Sequence, residues 1–588
     1  MHPLQTTHYK LKARKGFSLI EILIAATIFL IVIGGIIFSY ANILEIMSRT
    51  RDRSLVVTLL EREVEIIRSL DYENIGIQGG YPPGVIQQGR EIYYEGKNFT
   101  IEAFVRNIDD PFDGTTGGDP NDTAPADYKL VQLRATCSNC LYAGADEVIA
   151  WVSPEGLETE TGNGSLFINV FDANGLPIED ADITVENDAL NLTIIDETNA
   201  SGTLQLVDIP TSTNAYAICV SKDGYSSAQT YLLGDEANPN PVQPHATVAS
   251  GDITEISFAI DKVSSINVQT YSNSFCSPQA GTDFIQSGTK LIGSGPDVLK
   301  YEASFYTDGD GQSTRSNLEW DNYSFILDEV STVIAGSNPF LPVELAPDAD
   351  LDLAIHIFPA TTTSLLVAVA DEGGEPIPDA EVSILKGGDT ATQTTALAQF
   401  SQTDWSGSDY DSQDGGLVAS EGIELAGAPD TYPTGTTSWL ISRTFDLGTA
   451  STTFREILIN PESQPSGTIL KIQVATNNDN TTWSFVGPDG TSSTYYANSG
   501  QLSGDHNGDQ YLRYKAYLST TNSGNTPTLE DISFSLLSGC APQGYAYFAN
   551  PGAGTWEISA SKTGYATATS SIDIINGPYQ DNLILIAQ

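Results

Sequence analysis

From Ile22 to Leu44 the chain runs 23 residues without a charge, and most of them are apolar. At 1.5 Å per residue a helix of this length reaches about 35 Å, enough to cross a bilayer core of roughly 30 Å. Lys10, Lys12, Arg14 and Lys15 precede it, with no acid in the first sixteen positions. That positive flank is expected in the cytoplasm and the rest of the chain outside. The remainder is strongly acidic: 75 Asp and Glu against 26 Lys and Arg give −49 over 588 residues, and −53 once the first sixteen positions are set aside. Such a surface repels phosphate, so nucleic acid is not an expected partner. An ordinary secretory signal fits poorly, because the apolar run is too long and no small-x-small cleavage site follows it.

Glu21 sits at the edge of the apolar run. A lone carboxylate in lipid is costly and needs a partner. The stretch Lys15-Gly16-Phe17-Ser18-Leu19-Ile20-Glu21 closely resembles the type III signal of type IV prepilins and pseudopilins. The resemblance implies that a prepilin peptidase cuts after Gly16 and methylates the new N-terminal Phe17. It also implies that Glu21 pairs with the terminal amine of a neighbouring subunit and sets the stagger of a filament, at the cost of desolvating both charges. Its further partners would be other pilin subunits, the inner-membrane assembly platform and, before assembly, the inner membrane. The expected localisation is a single-pass inner-membrane protein with its C-terminus outside, later carried into a surface filament.

Beyond Leu44 the pattern becomes one-faced, with Val56, Leu59, Leu60, Val64, Ile67 and Leu70 at helical spacing. One long helix is therefore expected over residues 17–70, with residues 17–44 as its membrane half and residues 1–16 as a leader. Alternating segments at 91–94, 99–105, 129–135 and 147–152 read as strands of a small antiparallel sheet. The run from Arg90 to Gly114, followed by Asp127–Thr136, resembles minor pilins of the PilV kind and their secretion-system relatives, with a head over residues 71–160. Residues 109–127 read as a long surface loop. Its Asp109, Asp110, Asp113, Asp119, Asp122 and Asp127 are a set that suits a hard cation such as calcium, although a solvated acidic loop is the simpler reading.

Two later stretches repeat each other: residues 165–181 (SLFINVFDANGLPIEDA) and 364–380 (SLLVAVADEGGEPIPDA). A second pair, Ser221 to Tyr225 (SKDGY) and Ser561 to Tyr565 (SKTGY), follows each copy at very different distances. These stretches resemble carboxypeptidase regulatory-like β-sandwiches, modules without an active site of their own. The expected domains are 164–262, a related 263–360, and a third copy split into 363–414 and 539–588 by an insertion at 415–538. Asp308-Gly-Asp310-Gly resembles the start of a calcium loop, but Ser313 stands where Gly is needed, so a β-turn is preferred. The insertion resembles discoidin-like or lectin-like jelly rolls. That resemblance makes Tyr432, Tyr495, Tyr496, Asp505, His506 and Asp509 candidate ligand-loop residues for a glycan on a host or cell surface.

Cys137 and Cys140 form a lone C-x-x-C, which lacks the further ligands of a zinc site and reads as a short disulfide or two thiols. Cys219, mid-strand in Ala-Ile-Cys-Val, reads as a buried thiol, and Cys276 and Cys540 are candidates for a bridge between modules. No nucleophile–base pattern, metal-hydrolase helix or phosphate loop is present in the sequence, so no enzyme and no cofactor are expected. The fold class expected is an α+β pilin head on a long N-terminal helix, followed by mostly-β tandem sandwiches. The function expected is a minor, tip-located pilin-like subunit for adhesion. The alternatives are a pseudopilin of a type II secretion system and a membrane-anchored glycan-binding protein without a filament.

Overall fold

A computed structural model describes residues 19–588 apart from 143, 157–160, 273 and 329. Helix α1 runs uninterrupted over Leu19–Arg68, 50 residues and about 75 Å. No proline interrupts it. In its first half apolar residues face every direction: Leu23, Phe29, Ile36 and Ile43 are 53–64% exposed. In its second half Val56, Leu59, Leu60, Val64 and Ile67 fall to 0–6%. They lie on a four-stranded antiparallel meander: β1 (Gly89–Tyr94), β2 (Lys97–Ile108), β3 (Tyr128–Cys137) and β4 (Asp146–Val152). The inward residues of the central strands, among them Phe99, Ile101, Ala103, Val131 and Leu133, complete this core. Each buried aliphatic side chain contributes about 1.5–3 kcal/mol, so packing on the sheet, rather than propensity, holds the second half of the helix in place.

The chain divides into two compact units, one built from residues 1–223 and 227–260, the other from 224–226 and 261–588. The first unit adds a β-sandwich to the helix and meander. Its strand Gly164–Phe171 pairs in parallel with Ile253–Ala259 and antiparallel with Thr203–Ile209. The second unit contains two more sandwiches with the same parallel closure. Ser264–Tyr271 pairs in parallel with Asp350–Pro359, and Thr363–Ala370 pairs in parallel with Gly577–Ile584. In all three modules the first strand therefore lies against the last.

The repeated sequences form one local structure twice. Asp172 Oδ1 accepts from the amides of Asn174 and Leu176, and Asp371 Oδ1 accepts from those of Gly373 and Glu375. Gly175 and Gly374 take the left-handed conformation that these turns require, at φ 78° and 84°. Thr198 Oγ1 donates to the Ile178 carbonyl and accepts from the Ala181 amide, while Thr395 does the same with Ile377 and Ala380. The lysines of the second motif match as well. Lys222 Nζ donates to the Glu179 carbonyl at 2.5 Å, and Lys562 Nζ to that of Pro378 at 2.7 Å.

The inserted domain begins earlier than the sequence pattern placed it. Leu397–Gln402 pairs along its whole length with Asp531–Ser538, so the split sandwich ends near Thr395, and the insertion starts at about residue 397 rather than 415. The outer strand before it, Asp389–Thr394, is exposed along most of its length and shows no alternation, which hid the boundary. The insertion packs two main sheets over an apolar core that includes Trp405, Leu440, Ile472, Tyr514 and Phe534. Trp405 Nε1 donates to the Tyr514 hydroxyl at 2.6 Å, and that hydroxyl donates to Gln402 Oε1 at 2.8 Å. This buried polar chain is therefore satisfied from end to end.

Candidate functional site

The N-terminal region is the strongest candidate. Gly16 and Phe17 lie outside the described residues. Glu21 is in the first turns of α1, where the neighbouring Ile20, Ile22 and Leu23 are 58–66% exposed. The helix is long and apolar enough to cross a membrane, with a mean hydropathy of 2.8 over its most apolar window.

Two acids in the second half of α1, Asp52 and Glu63, are buried. Asp52 is 2% exposed, accepts from the Leu141 amide at 2.7 Å and lies 3.5 Å from Lys97 Nζ. It thereby ties the helix to the loop closed by the Cys137–Cys140 disulfide, whose Cα atoms are 5.6 Å apart. Glu63 is 5% exposed and bound by Arg62 at 3.0 Å and by Arg90. Lys129 is buried beside the end of the helix and donates to the Tyr72 and Ile75 carbonyls at 2.9 and 2.6 Å, and its burial lowers its pKa. Within the same unit, Arg106 meets the buried Asp196 at 2.8 Å and Arg134 meets Glu197 at 3.0 Å. These four residues join the meander to the first sandwich. Burial raises the Asp196 carboxyl and the arginine opposes that shift. The pairs Asp52–Lys97, Glu63–Arg90, Arg106–Asp196 and Arg134–Glu197 were not legible in the sequence, because each joins positions that only the fold brings together.

In the 109–127 loop three of the six aspartates converge. The Asp109, Asp122 and Asp127 carboxylates have oxygens within 4.8 Å of one another. One oxygen of each is engaged by the loop itself: Thr116 N donates to Asp109, Ala124 N to Asp122 and Asp110 N to Asp127. Asp110 instead accepts from Phe112 N and Tyr128 Oη, and Asp113 and Asp119 stand outside the cluster. Burial raises the Asp109 carboxyl. At the other calcium-like stretch, Asp308 Oδ1 accepts from the amides of Asp310 and Gln312, while Glu319 is paired with Lys290 at 2.7 Å and with Lys300. That stretch is a turn.

The six candidate glycan-loop residues do not form one site. Tyr496 and His506 are both 3% exposed and belong to the packed interior. Tyr496 Oη accepts from the Ser503 amide, and His506 Nδ1 lies 3.0 Å from Thr476 Oγ1. Burial keeps that imidazole's pKa low. Asp509 accepts from Thr476 Oγ1 and Asn478 Nδ2. Tyr432 is anchored to the Ser523 carbonyl, beyond the far end of strand Tyr511–Thr520. That strand is about 33 Å long, which separates Tyr432 from Asp505 and Asp509. Only Tyr495 joins a surface cluster, on the sheet face described below. Cys219 is exposed rather than buried, because Ile218 and Val220 take the inward positions of its strand. Cys276 and Cys540 are joined by a disulfide, with Cα atoms 5.3 Å apart.

Residues 11–37 match the family described as the prokaryotic N-terminal methylation motif, a span that includes Gly16, Phe17 and Glu21. No curated protein matches the chain. Among solved structures it is similar to the Bacillus anthracis TIE protein, with 10% identity over 90% of this chain and 78% of that one, at a TM-score of 0.15. The minor pilin GBS52 of Streptococcus agalactiae gives 12% identity over 33% and 96%, at 0.18. A streptococcal ancillary pilin gives 10% over 72% and 99%, at 0.14. At such scores these similarities carry no argument. The N-terminal match carries one: the chain bears a prepilin-type methylation signal at the head of a long apolar helix, followed by a mostly-β body.

Proposed function

We propose that this chain is a minor subunit of a type IV pilus-like filament, processed by prepilin peptidase after Gly16, methylated at Phe17 and assembled through α1. The carrying observation is the junction of the matched signal with a helix whose first half is apolar on all sides and whose second half is docked on its own sheet. Such a helix can leave the bilayer only for another apolar surroundings, and a bundle of equivalent helices supplies one. Glu21 then finds its counter-charge in the terminal amine of a neighbour. More than 400 residues follow the meander. That bulk would crowd a lattice if every subunit carried it, and it supports a sparse or terminal position with the β-modules turned toward a surface. The role is mechanical and adhesive. In the experiment that tests this reading, Glu21→Ala is expressed in cells lacking the wild-type chain, and sheared filaments are compared with membranes. The variant is expected to accumulate, cleaved, in the membrane and to be depleted from filaments. Undiminished incorporation would overturn the assembly role of α1.

A further inference from the structure

One face of the inserted domain gathers aromatic rings and lysines in this acidic molecule. On the sheet containing Thr437–Ser442, Tyr511–Thr520 and Thr468–Asn477, the register sets Trp439 opposite Tyr517, and Tyr517 opposite Lys471. These residues take the outward positions of strands whose alternate residues fill the core. Tyr495 leans in from the adjoining loop and meets Tyr517 edge-on, with centroids 5.4 Å apart. Two ammonium groups lie among the rings. Lys515 Nζ is 4.2 Å from the Trp439 centroid and 5.2 Å from that of Tyr517, and Lys471 Nζ is 3.7 Å from that of Tyr495. Farther along the same strand, Arg513 stacks on Trp483 at 4.6 Å but is already paired with Asp411.

Lys471 and Lys515 form no ion pair and no hydrogen bond with the described residues. Burial lowers the Lys515 pKa, and Asp414, which accepts from the Trp439 amide at 3.2 Å, opposes that shift without forming an ion pair with the lysine. A cation–π contact leaves the ammonium without a counter-charge, so an arriving anion can still pair with it. The Trp439 and Tyr517 rings are half-buried on paired strands and Tyr495 packs edge-on against Tyr517, so little side-chain freedom is lost when a ligand stacks on them. The rings and lysines lie side by side across three paired strands and an adjoining loop, an arrangement that suits a polymer lying across it more than a small molecule.

We propose that this face binds an acidic polysaccharide, its pyranose rings stacked on Trp439, Tyr517 and Tyr495 and its carboxylates reaching Lys471 and Lys515. Stacking needs flat C–H faces and the lysines need an anion, and a uronate polymer offers both in alternation. Single-stranded nucleic acid also combines stacking with charge. Its bases would take the place of the pyranose rings on the same platform, so oligothymidylate is the competing ligand in the test below. The proposal names a ligand class for the adhesive part of the function above, yet it does not depend on filament assembly.

The full chain in detergent micelles is passed over immobilised alginate, with neutral dextran and oligothymidylate as comparisons. Wild type is expected to be retained on alginate over dextran, and salt should weaken that retention. The pair Lys471→Gln with Lys515→Gln, and separately Trp439→Leu, should each weaken binding by roughly tenfold or more, the loss typical of truncating an interface anchor. Thermal melting and circular dichroism identify any variant that fails to fold. Lys386→Gln removes a lysine that also stacks on a tryptophan, at 4.9 Å, but donates to the Ala553 carbonyl; it should bind as wild type. Equal retention on alginate and dextran would overturn the proposal. So would unchanged binding by the folded double-lysine variant, or tighter binding to oligothymidylate. A negative result here leaves N-terminal processing untouched, and loss of processing leaves this binding untouched.

Discussion

The two halves of α1 belong to one continuous helix but settle their buried groups in opposite ways. In the second half the apolar face meets β1–β4, and the two buried acids, Asp52 and Glu63, find Lys97, the Leu141 amide, Arg62 and Arg90 within the chain. In the first half the apolar residues are exposed on every side, and among the described residues no sheet covers them. The difference teaches where the helix ends its work for its own fold and begins to need surroundings from outside. The second half is a core element; the first half is long and apolar enough to cross a membrane and is left uncovered among the described residues.

The comparison breaks most readily at its charged positions. Glu21→Ala should leave folding of the β-body intact, as read by its melting temperature, while removing most of the chain from sheared filaments. Arg106→Ala tests the rule that an acid buried in the first unit needs its internal partner. It leaves Asp196 uncompensated and should destabilise that unit by about 3–5 kcal/mol in denaturant unfolding at neutral pH. Without the arginine, the Asp196 carboxyl rises further above its unfolded value. The deficit is therefore present above the raised folded pKa and shrinks as pH falls through it, because the folded state then holds a proton that the unfolded chain has not yet bound.

Leu59→Ala against Phe29→Ala sharpens the contrast directly. The first should lower ectodomain stability by about 2–5 kcal/mol through the cavity it leaves. The second should leave that stability unchanged and act only on membrane retention or filament yield. Asp52→Asn should cost about 1.5–3 kcal/mol, the range for hydrogen bonds to charged groups, with the loop at Leu141 the first to gain hydrogen exchange. Arg49→Ala removes an exposed pair with Glu45 one turn away, and its effect on melting should correspond to only about 0.3–0.5 kcal/mol.

Much of this contrast was legible in the sequence, since a run of 23 uncharged residues and a switch to one-faced periodicity are both local signals. The strands of the meander were equally plain in their alternation, and the repeated Asp-x-x-Gly turns lie in matching strings of residues. What the sequence hid was non-local. Arg106 and Asp196 are 90 positions apart, and nothing in either neighbourhood selects the other. Cys219 was misjudged because Ala-Ile-Cys-Val is apolar throughout, and only the register shows which residues face inward. Tyr496 and His506 sit in polar loop sequence, yet both turn into the core. The row of Trp439, Tyr517 and Lys471 comes from three strands spread over nearly 80 residues and takes shape only when those strands pair.

The most direct test of the central claim is mass spectrometry of the N-terminal peptide, taken separately from sheared surface filaments and from membranes. The account predicts a peptide beginning at N-methylated Phe17 in the filament fraction. A chain that retains residues 1–16 and is found only in membranes would contradict it.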